Sequence, residues 1–325
     1  MIILNEQEMW RCVSLDEIMG GIERAYEIHR AGNYVMPDRY VAGRDGNLML
    51  YMPCFIDGAV GTKMLAEFPG NPAKGLPYLS GLMIVNDGET GATKAILDGS
   101  VLTAMRTGAS GGVAVKYLSA EHASSVGMVG CGTQGLHQLL FACHVRPITH
   151  IYLYDAYRKD YGPFVEKLRA RLDRPGIEIT PCRDTRELAE KSQILISATQ
   201  TTDPLYPDDE KLLEGKCFVA IGSWRPERRE LPDAVSRLVK NVYTEMPYAC
   251  EESGDLKIPL DTGVLTMDRV KYMEDLIADC KGGNPHPQNA TTWFKSVGMG
   301  LYDITVADLI CRKAEELGIG QRVQW

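Results

Sequence analysis

The sequence predicts an α/β protein built in two parts, and three observations carry that reading. From residue 124 onward, short apolar runs alternate with helical stretches, the pattern of a parallel sheet with crossover helices. From about residue 47 to 97 the pattern is instead one of short strands with a hairpin signal, flanked by helices. At 325 residues the chain also exceeds one ordinary core and suits two domains.

Taken in order, Ser14-Leu-Asp-Glu17 reads as a capping box, the serine capping amides and the glutamate reaching back. Behind it Ile18, Ile22, Ala25 and Tyr26 recur at helical spacing, with Gly32 as the stop. Residues 48–52, 60–68 and 81–85 are strand-like, and Asn86-Asp-Gly-Glu-Thr-Gly91 turns into a further strand over 92–97. A helix over about 100–118 is rich in small residues. Each glycine there costs roughly 1 kcal/mol against alanine, so the cluster at 107–112 points to close approach by another backbone or a ligand. Residues 126–129, 150–154, 177–179, 194–197 and 217–221 are expected to form the parallel sheet. A final helix over about 303–317 would have Asp303 as its N-cap. His286, between two prolines, reads as part of an exposed turn.

Charge and cysteine usage narrow the function. With 35 Lys and Arg against 43 Asp and Glu, the net charge of -8 argues against general nucleic-acid binding, because no basic excess exists to release counterions. A local basic pocket for a small anion remains open. Nine cysteines without a Cys-x-x-Cys pair read as reduced core residues, and neither they nor the histidines have metal-ligand spacing. No apolar stretch is long enough to span a membrane and the first ten residues have no signal-like core, so a cytoplasmic protein is expected.

The most specific motif is Gly130-Cys-Gly132-Thr133-Gln134-Gly135, a G-x-G-x-x-G that follows an apolar strand and opens a helix. In that context the first glycine makes the turn, the second lets the backbone approach a pyrophosphate, and the third packs helix on strand. The helix N-terminus then offers free amides to the phosphates. The next strand ends at Asp155, about twenty positions on, where an acid accepts from the adenosine ribose hydroxyls and repels a 2′-phosphate. This is a Rossmann-type dinucleotide site that favours NAD(H); Arg158 nearby leaves room for NADP(H). Ser197-Ala198-Thr199, at the carboxyl end of a later strand, lies on the edge where ligands of such sheets gather.

Four further segments accompany the fingerprint. They are Val60-Gly-Thr-Lys63, Thr103-Ala-Met-Arg106-Thr-Gly-Ala-Ser, Gly222-Ser-Trp-Arg-Pro-Glu-Arg-Arg-Glu-Leu231, and Lys295-Ser-Val-Gly298 with Asp303. Together, in this order, they resemble the ornithine cyclodeaminase/mu-crystallin family over essentially the whole chain. The resemblance implies a nucleotide domain over 119–302, inserted in an α+β domain formed by 1–118 and 303–325 that binds substrate and pairs two subunits into a homodimer. It implies small carboxylate-bearing amino, imino or keto acids, or cyclic ketimines, as substrates. Arg39, Lys63 and Arg106 match family positions that hold the substrate carboxylate, a task suited to the planar fork of arginine. Lys63 would either bond the carboxylate or donate a proton, if burial and the two arginines depress its pKa. On the residues alone, Arg39 reads equally as a loop surface residue, Arg106 as the partner of a structural acid, and Lys63 as a solvated strand residue. Gln134, Ser296, Val297 and Gly298 would border the cofactor.

One departure bears on the reaction. Where cyclodeaminases of the family carry an acidic base after the strand at 217–221, this chain has Trp224. Tryptophan is no base, so Trp224 is either a pocket wall or ordinary packing beside the cofactor. A carboxylate clamp, a lysine and a nicotinamide still suffice for hydride transfer to a C=N bond. The leading expectation is therefore an NAD(P)H-dependent reductase of a small α-imino acid or cyclic ketimine, in reverse an amino-acid dehydrogenase. A cyclodeaminase with a relocated base and a non-catalytic NAD(P)-binding protein are the alternatives.

Overall fold

The computed structural model describes residues 1–283 and 289–324, so the segment holding His286 lies outside the described residues. The chain divides into two units, Met1–Arg106 with Gly298–Trp325, and Thr107–Val297. The division falls inside the helix Gly99–Leu118 and again at Gly298; the sequence reading set it at 118 and 302. Each unit has its own sheet.

The first unit is a mostly antiparallel sheet backed by two long helices. The helix Leu15–Ala31 starts in the capping box, with Glu17 N–H donating to the Ser14 hydroxyl and Ser14 N–H to the Glu17 carboxylate, and stops at left-handed Gly32. The helix Gly300–Leu317 packs on it and on the strands Asn47–Ile56 and Ala59–Glu67. These two strands form a hairpin whose register runs from Leu48 opposite Glu67 to Ile56 opposite Ala59, and Leu79–Asp87 and Thr93–Asp98 continue the sheet. Strict alternation along Ala59–Glu67 turns Ala59, Gly61, Lys63, Leu65 and Glu67 inward. The opposite face carries half-buried Tyr51, Met64, Ile84 and Ile96 and exposed Phe55 and Leu82. The sequence reading missed the strand Ile2–Leu4, which joins this sheet parallel to Thr93–Asp98.

The second unit is the parallel sheet. Its strands lie in the order Glu178–Pro181, His150–Tyr154, Ser125–Val129, Ile194–Ser197, Cys217–Ala220, Thr292–Lys295, Val242–Thr244, Val270–Tyr272, every pairing parallel. The central strands are buried on both faces, which is why they read as unbroken apolar runs. Trp293, Phe218 and Leu213 anchor its core, each fully buried and of the kind that contributes about 1.5–3 kcal/mol by burial. The order reverses between Ser125–Val129 and Ile194–Ser197, the switch point of a doubly wound sheet. Among the described residues no helix is long and apolar enough to cross a membrane, and no group of His, Cys, Asp or Glu could hold a metal ion.

Candidate active site

The inward face of Ala59–Glu67 places Lys63 opposite Met52 and Met83, both buried, so a lysine stands where the pattern calls for an apolar side chain. It is 0% exposed, which removes the solvated-strand alternative. Its Nζ donates to Asp303 Oδ1 at 2.7 Å. Arg106, buried on the helix Gly99–Leu118, donates from Nε to the same oxygen at 2.9 Å. Asp303 is therefore not the N-cap that the sequence suggested. Met299 takes that place and the helix begins at Gly300, which puts Asp303 inside the first turn on the face turned to the sheet. A carboxylate near a helix N-terminus is favoured by the exposed amides there, and here it anchors two cations. Its second oxygen is buried and makes no hydrogen bond.

Arg39 enters from the loop before the strand Tyr40–Arg44 and donates to the carbonyl of Gly298 at 2.8 Å. Gly298 has φ +77, and any Cβ there would press on the Arg106 guanidinium. Only glycine lets this backbone lie flat against the arginine. Gly298, expected beside the cofactor, thus stands in the first unit with Arg39 and Arg106. Lys63 and Arg106 thus share one carboxylate, and Arg39 bonds the backbone beside them. Burial, then the charge of Arg106, lower the Lys63 pKa to about 7; Asp303 opposes the shift and Arg39 adds a smaller push downward. Cys54, also near Asp303, has its thiol pushed up to about 12, chiefly by burial, and is no nucleophile.

The second unit carries the glycine fingerprint. Gly130 has φ +95, and a Cβ there would meet the Ala198 carbonyl at 2.6 Å, so this turn requires glycine. Gly132 precedes the helix Thr133–Val145, which has no side-chain cap; Gln134 and Gly135 lie in its first turn. The space a Gly132 Cβ would take is open. Uncapped amides with open space above them suit a pyrophosphate, so the residues present fit a dinucleotide. Asp155 braces the loop: Oδ2 accepts from Cys131 N–H at 2.8 Å and Oδ1 from Tyr157 N–H at 3.0 Å. Each oxygen keeps a lone pair for a ribose hydroxyl. Arg158 donates to the Cys131 carbonyl at 2.9 Å, so it too is tied to the loop.

At the carboxyl edge of the sheet, Ser197 is buried with no hydrogen bond to its hydroxyl, and Ala198 donates to the Val129 carbonyl. Thr199 donates through N–H and hydroxyl to Glu230. Ser296 and Val297 both donate to Glu245, which is buried. Trp224 packs against the core of this unit, with the guanidinium of Arg225 4.5 Å and that of Arg228 5.6 Å from its ring centre. Sequence reasoning missed Glu230, Glu245 and the anchoring role of Asp303. Glu230 sat inside a motif already singled out, but nothing in spacing marks an acid as buried.

With this geometry in place, the comparisons with known proteins are decisive. The model of the ornithine cyclodeaminase/mu-crystallin family matches residues 1–318. The chain belongs to that family. Alanine dehydrogenase of Archaeoglobus fulgidus is 31% identical over 326 residues, covering 100% of this chain and 98% of that protein. The structure of Thermococcus litoralis Delta(1)-pyrroline-2-carboxylate reductase in complex with NADH and L-proline matches with a TM-score of 0.90 at 32% identity, over 99% of this chain and 100% of that one. An archaeal alanine dehydrogenase dimer with bound NAD matches with a TM-score of 0.89 at 28% identity, over 100% and 99%.

Proposed function

We propose that this family member is an NAD(H)-dependent oxidoreductase acting on carbon–nitrogen bonds: it reduces a small α-imino acid or cyclic ketimine, and in reverse oxidises the amino acid. The observation that carries the reading is the pair of cations, Lys63 and Arg106, held on one oxygen of Asp303 in a buried cluster with surplus positive charge. Buried charge needs a partner, and a substrate carboxylate supplies one. The similar proteins support the same chemistry. Alanine and the pyrroline carboxylate in their names share a carboxylate beside a carbon bonded to nitrogen.

In this reading Arg106 and Arg39 grip the carboxylate and fix the neighbouring C=N carbon. The nicotinamide, when bound along Gly130–Gly135, Asp155, Ser197, Ala198, Thr199, Ser296 and Val297, supplies or accepts the hydride. Lys63, with a pKa near neutrality, carries a proton in its charged form for the nitrogen or the carboxylate. Asp303 keeps Lys63 and Arg106 aligned. Trp224, a non-basic residue where cyclodeaminases of the family carry an acid, does not support cyclodeamination. The half-exposed apolar face of the first sheet, around Tyr51, Met64, Phe55 and Leu82, supports a homodimer, as does the dimeric state of the archaeal neighbour.

The test is NADH oxidation against cyclic ketimines and α-keto acids with ammonia or methylamine, with ornithine as a control assayed for proline. Turnover of any imine supports the reading. Silence across the panel despite NADH binding sinks it, and proline from ornithine replaces it with a cyclodeaminase.

A further inference from the structure

The parallel sheet divides the work of holding a dinucleotide. On one side of the switch point lie Ser125–Val129, His150–Tyr154 and Glu178–Pro181; on the other, Ile194–Ser197 and Cys217–Ala220. In such sheets the ligand crosses the carboxyl edge at the switch, one mononucleotide half on each group of strands. Gly130–Gly135 and Asp155 serve the adenosine and pyrophosphate side. The nicotinamide half falls to the turns that follow Ser197 and Ala220.

A single buried side chain ties those two turns. Glu230 is 0% exposed. Its Oε1 accepts from the N–H and the hydroxyl of Thr199 at 2.7 and 2.8 Å, and its Oε2 accepts from Gly222 N–H at 2.8 Å. Asp255 holds this residue in turn: its Oδ1 accepts from the backbone N–H of Glu230 and Leu231 at 2.7 and 2.9 Å. Lys295, at the end of the strand that pairs with Cys217–Ala220, is fully buried with Nζ 3.5 Å from Asp255 Oδ2. Its charge offsets the two acids; burial still pushes Glu230 upward while Lys295 pulls it back.

We infer that Glu230 is a positioning residue for the cofactor, setting the spacing of the two carboxyl-edge turns that receive the nicotinamide half. The inference rests on the reading of this unit as an NAD(H) site. A carboxylate suits the task because both its ends accept. An amide accepts at one end only and would confront either Thr199 or Gly222 with an N–H of its own. A carboxylate that served packing alone would have no reason to span two ligand-facing turns.

Glu230→Gln keeps the shape and removes one accepting end. NADH binding is read by fluorescence titration and ADP-ribose binding by calorimetry, both without substrate. ADP-ribose lacks the nicotinamide and reports on the other half-site. The expected result is a rise of about tenfold in the NADH Kd, the size of one lost charge-assisted hydrogen bond, with the ADP-ribose Kd changed by less than about twofold. An unchanged NADH Kd overturns the inference. So does an equal loss for both ligands, which marks general damage to the domain. If Glu230→Gln does not fold, Thr199→Val decides: it removes one donor and leaves the carboxylate, and should give the same pattern at about threefold, with no change in either Kd overturning the role. Neither titration uses an imine, so failure of the reductase reading leaves both interpretable. Absence of NADH binding by the unaltered protein overturns the inference together with the cofactor reading.

Discussion

The two units bury charged clusters of opposite surplus. In the first, Lys63 and Arg106 share one carboxylate, Asp303, and Arg39 bonds the Gly298 carbonyl. In the second, Glu230 and Asp255 face one lysine, Lys295. In the second unit backbone N–H groups and the Thr199 hydroxyl fill both oxygens of Glu230 and Oδ1 of Asp255, while Asp255 Oδ2 makes no hydrogen bond and lies 3.5 Å from Lys295 Nζ. In the first unit Lys63 and Arg106 both donate to Oδ1 of Asp303, so two cations share one carboxylate oxygen. Taking charge out of water costs several kcal/mol per ion unless it is matched. Two cations on a single carboxylate leave a net positive charge that suits an anion, whereas the acids of the second unit are held mostly by the protein's own backbone donors.

The comparison breaks most sharply at Arg106. Arg106→Ala should lower kcat/KM for an imino acid by about a thousandfold, the loss of a bidentate charge-assisted contact in a dry site. The NADH Kd should stay within about twofold, because additivity holds between independent sites. Asp303→Asn should cost about a hundredfold by releasing both cations from their anchor. Steady-state kinetics beside NADH titration reads both. Equal damage to NADH binding would mean that the first cluster is scaffold after all.

The pH dependence sharpens the same contrast. Lys63 has its pKa lowered to about 7, first by burial and then by Arg106. Above that pH it is largely neutral, so the reductive kcat/KM should fall about tenfold per pH unit if protonated Lys63 is required. A bound carboxylate adds negative charge and raises the lysine pKa. Binding of the amino acid that corresponds to the turned-over imine, near pH 8, should therefore take up a proton, seen as a dependence of the calorimetric enthalpy on buffer ionisation. In Arg106→Ala the inflection should move upward, because a cause of the lowering is gone. No uptake and no inflection near 7 would remove Lys63 from proton handling.

Much of this was legible in the sequence, for identifiable reasons. The capping box at Ser14 and Glu17, the hairpin strands and the parallel core strands follow from local spacing and apolar periodicity, and they formed where expected. The short strands Val242–Thr244, Val270–Tyr272 and Thr292–Lys295 did not stand out, because each mixes Thr, Lys or Tyr into three or four residues and none is an unbroken apolar run. Lys63 and Arg106 could be singled out, but their meeting on Asp303 joins residues 240 and 197 positions apart. No local pattern reports such a contact. Asp303 was misread for a local reason: the helix starts at Gly300 behind Met299, an apolar residue with no side-chain cap bond, so the first residue with capping chemistry lies inside the first turn.

The smallest effect is expected at Asp155, where scaffold and site overlap. Its carboxylate braces Cys131 and Tyr157 while keeping lone pairs for the ribose. Asp155→Ser removes the negative charge that disfavours a 2′-phosphate and leaves a hydroxyl able to bond the loop. The ratio of kcat/KM with NADH to that with NADPH should fall about fivefold, mostly through a gain with NADPH, since one like charge at this range is worth about 1 kcal/mol. Arg158 decides how far the gain goes. Its guanidinium bonds the Cys131 carbonyl, and it can turn to a 2′-phosphate only by giving up that bond. Adding Arg158→Ala to Asp155→Ser should therefore cancel the NADPH gain if the arginine makes that exchange, and leave it intact if the arginine serves only the loop.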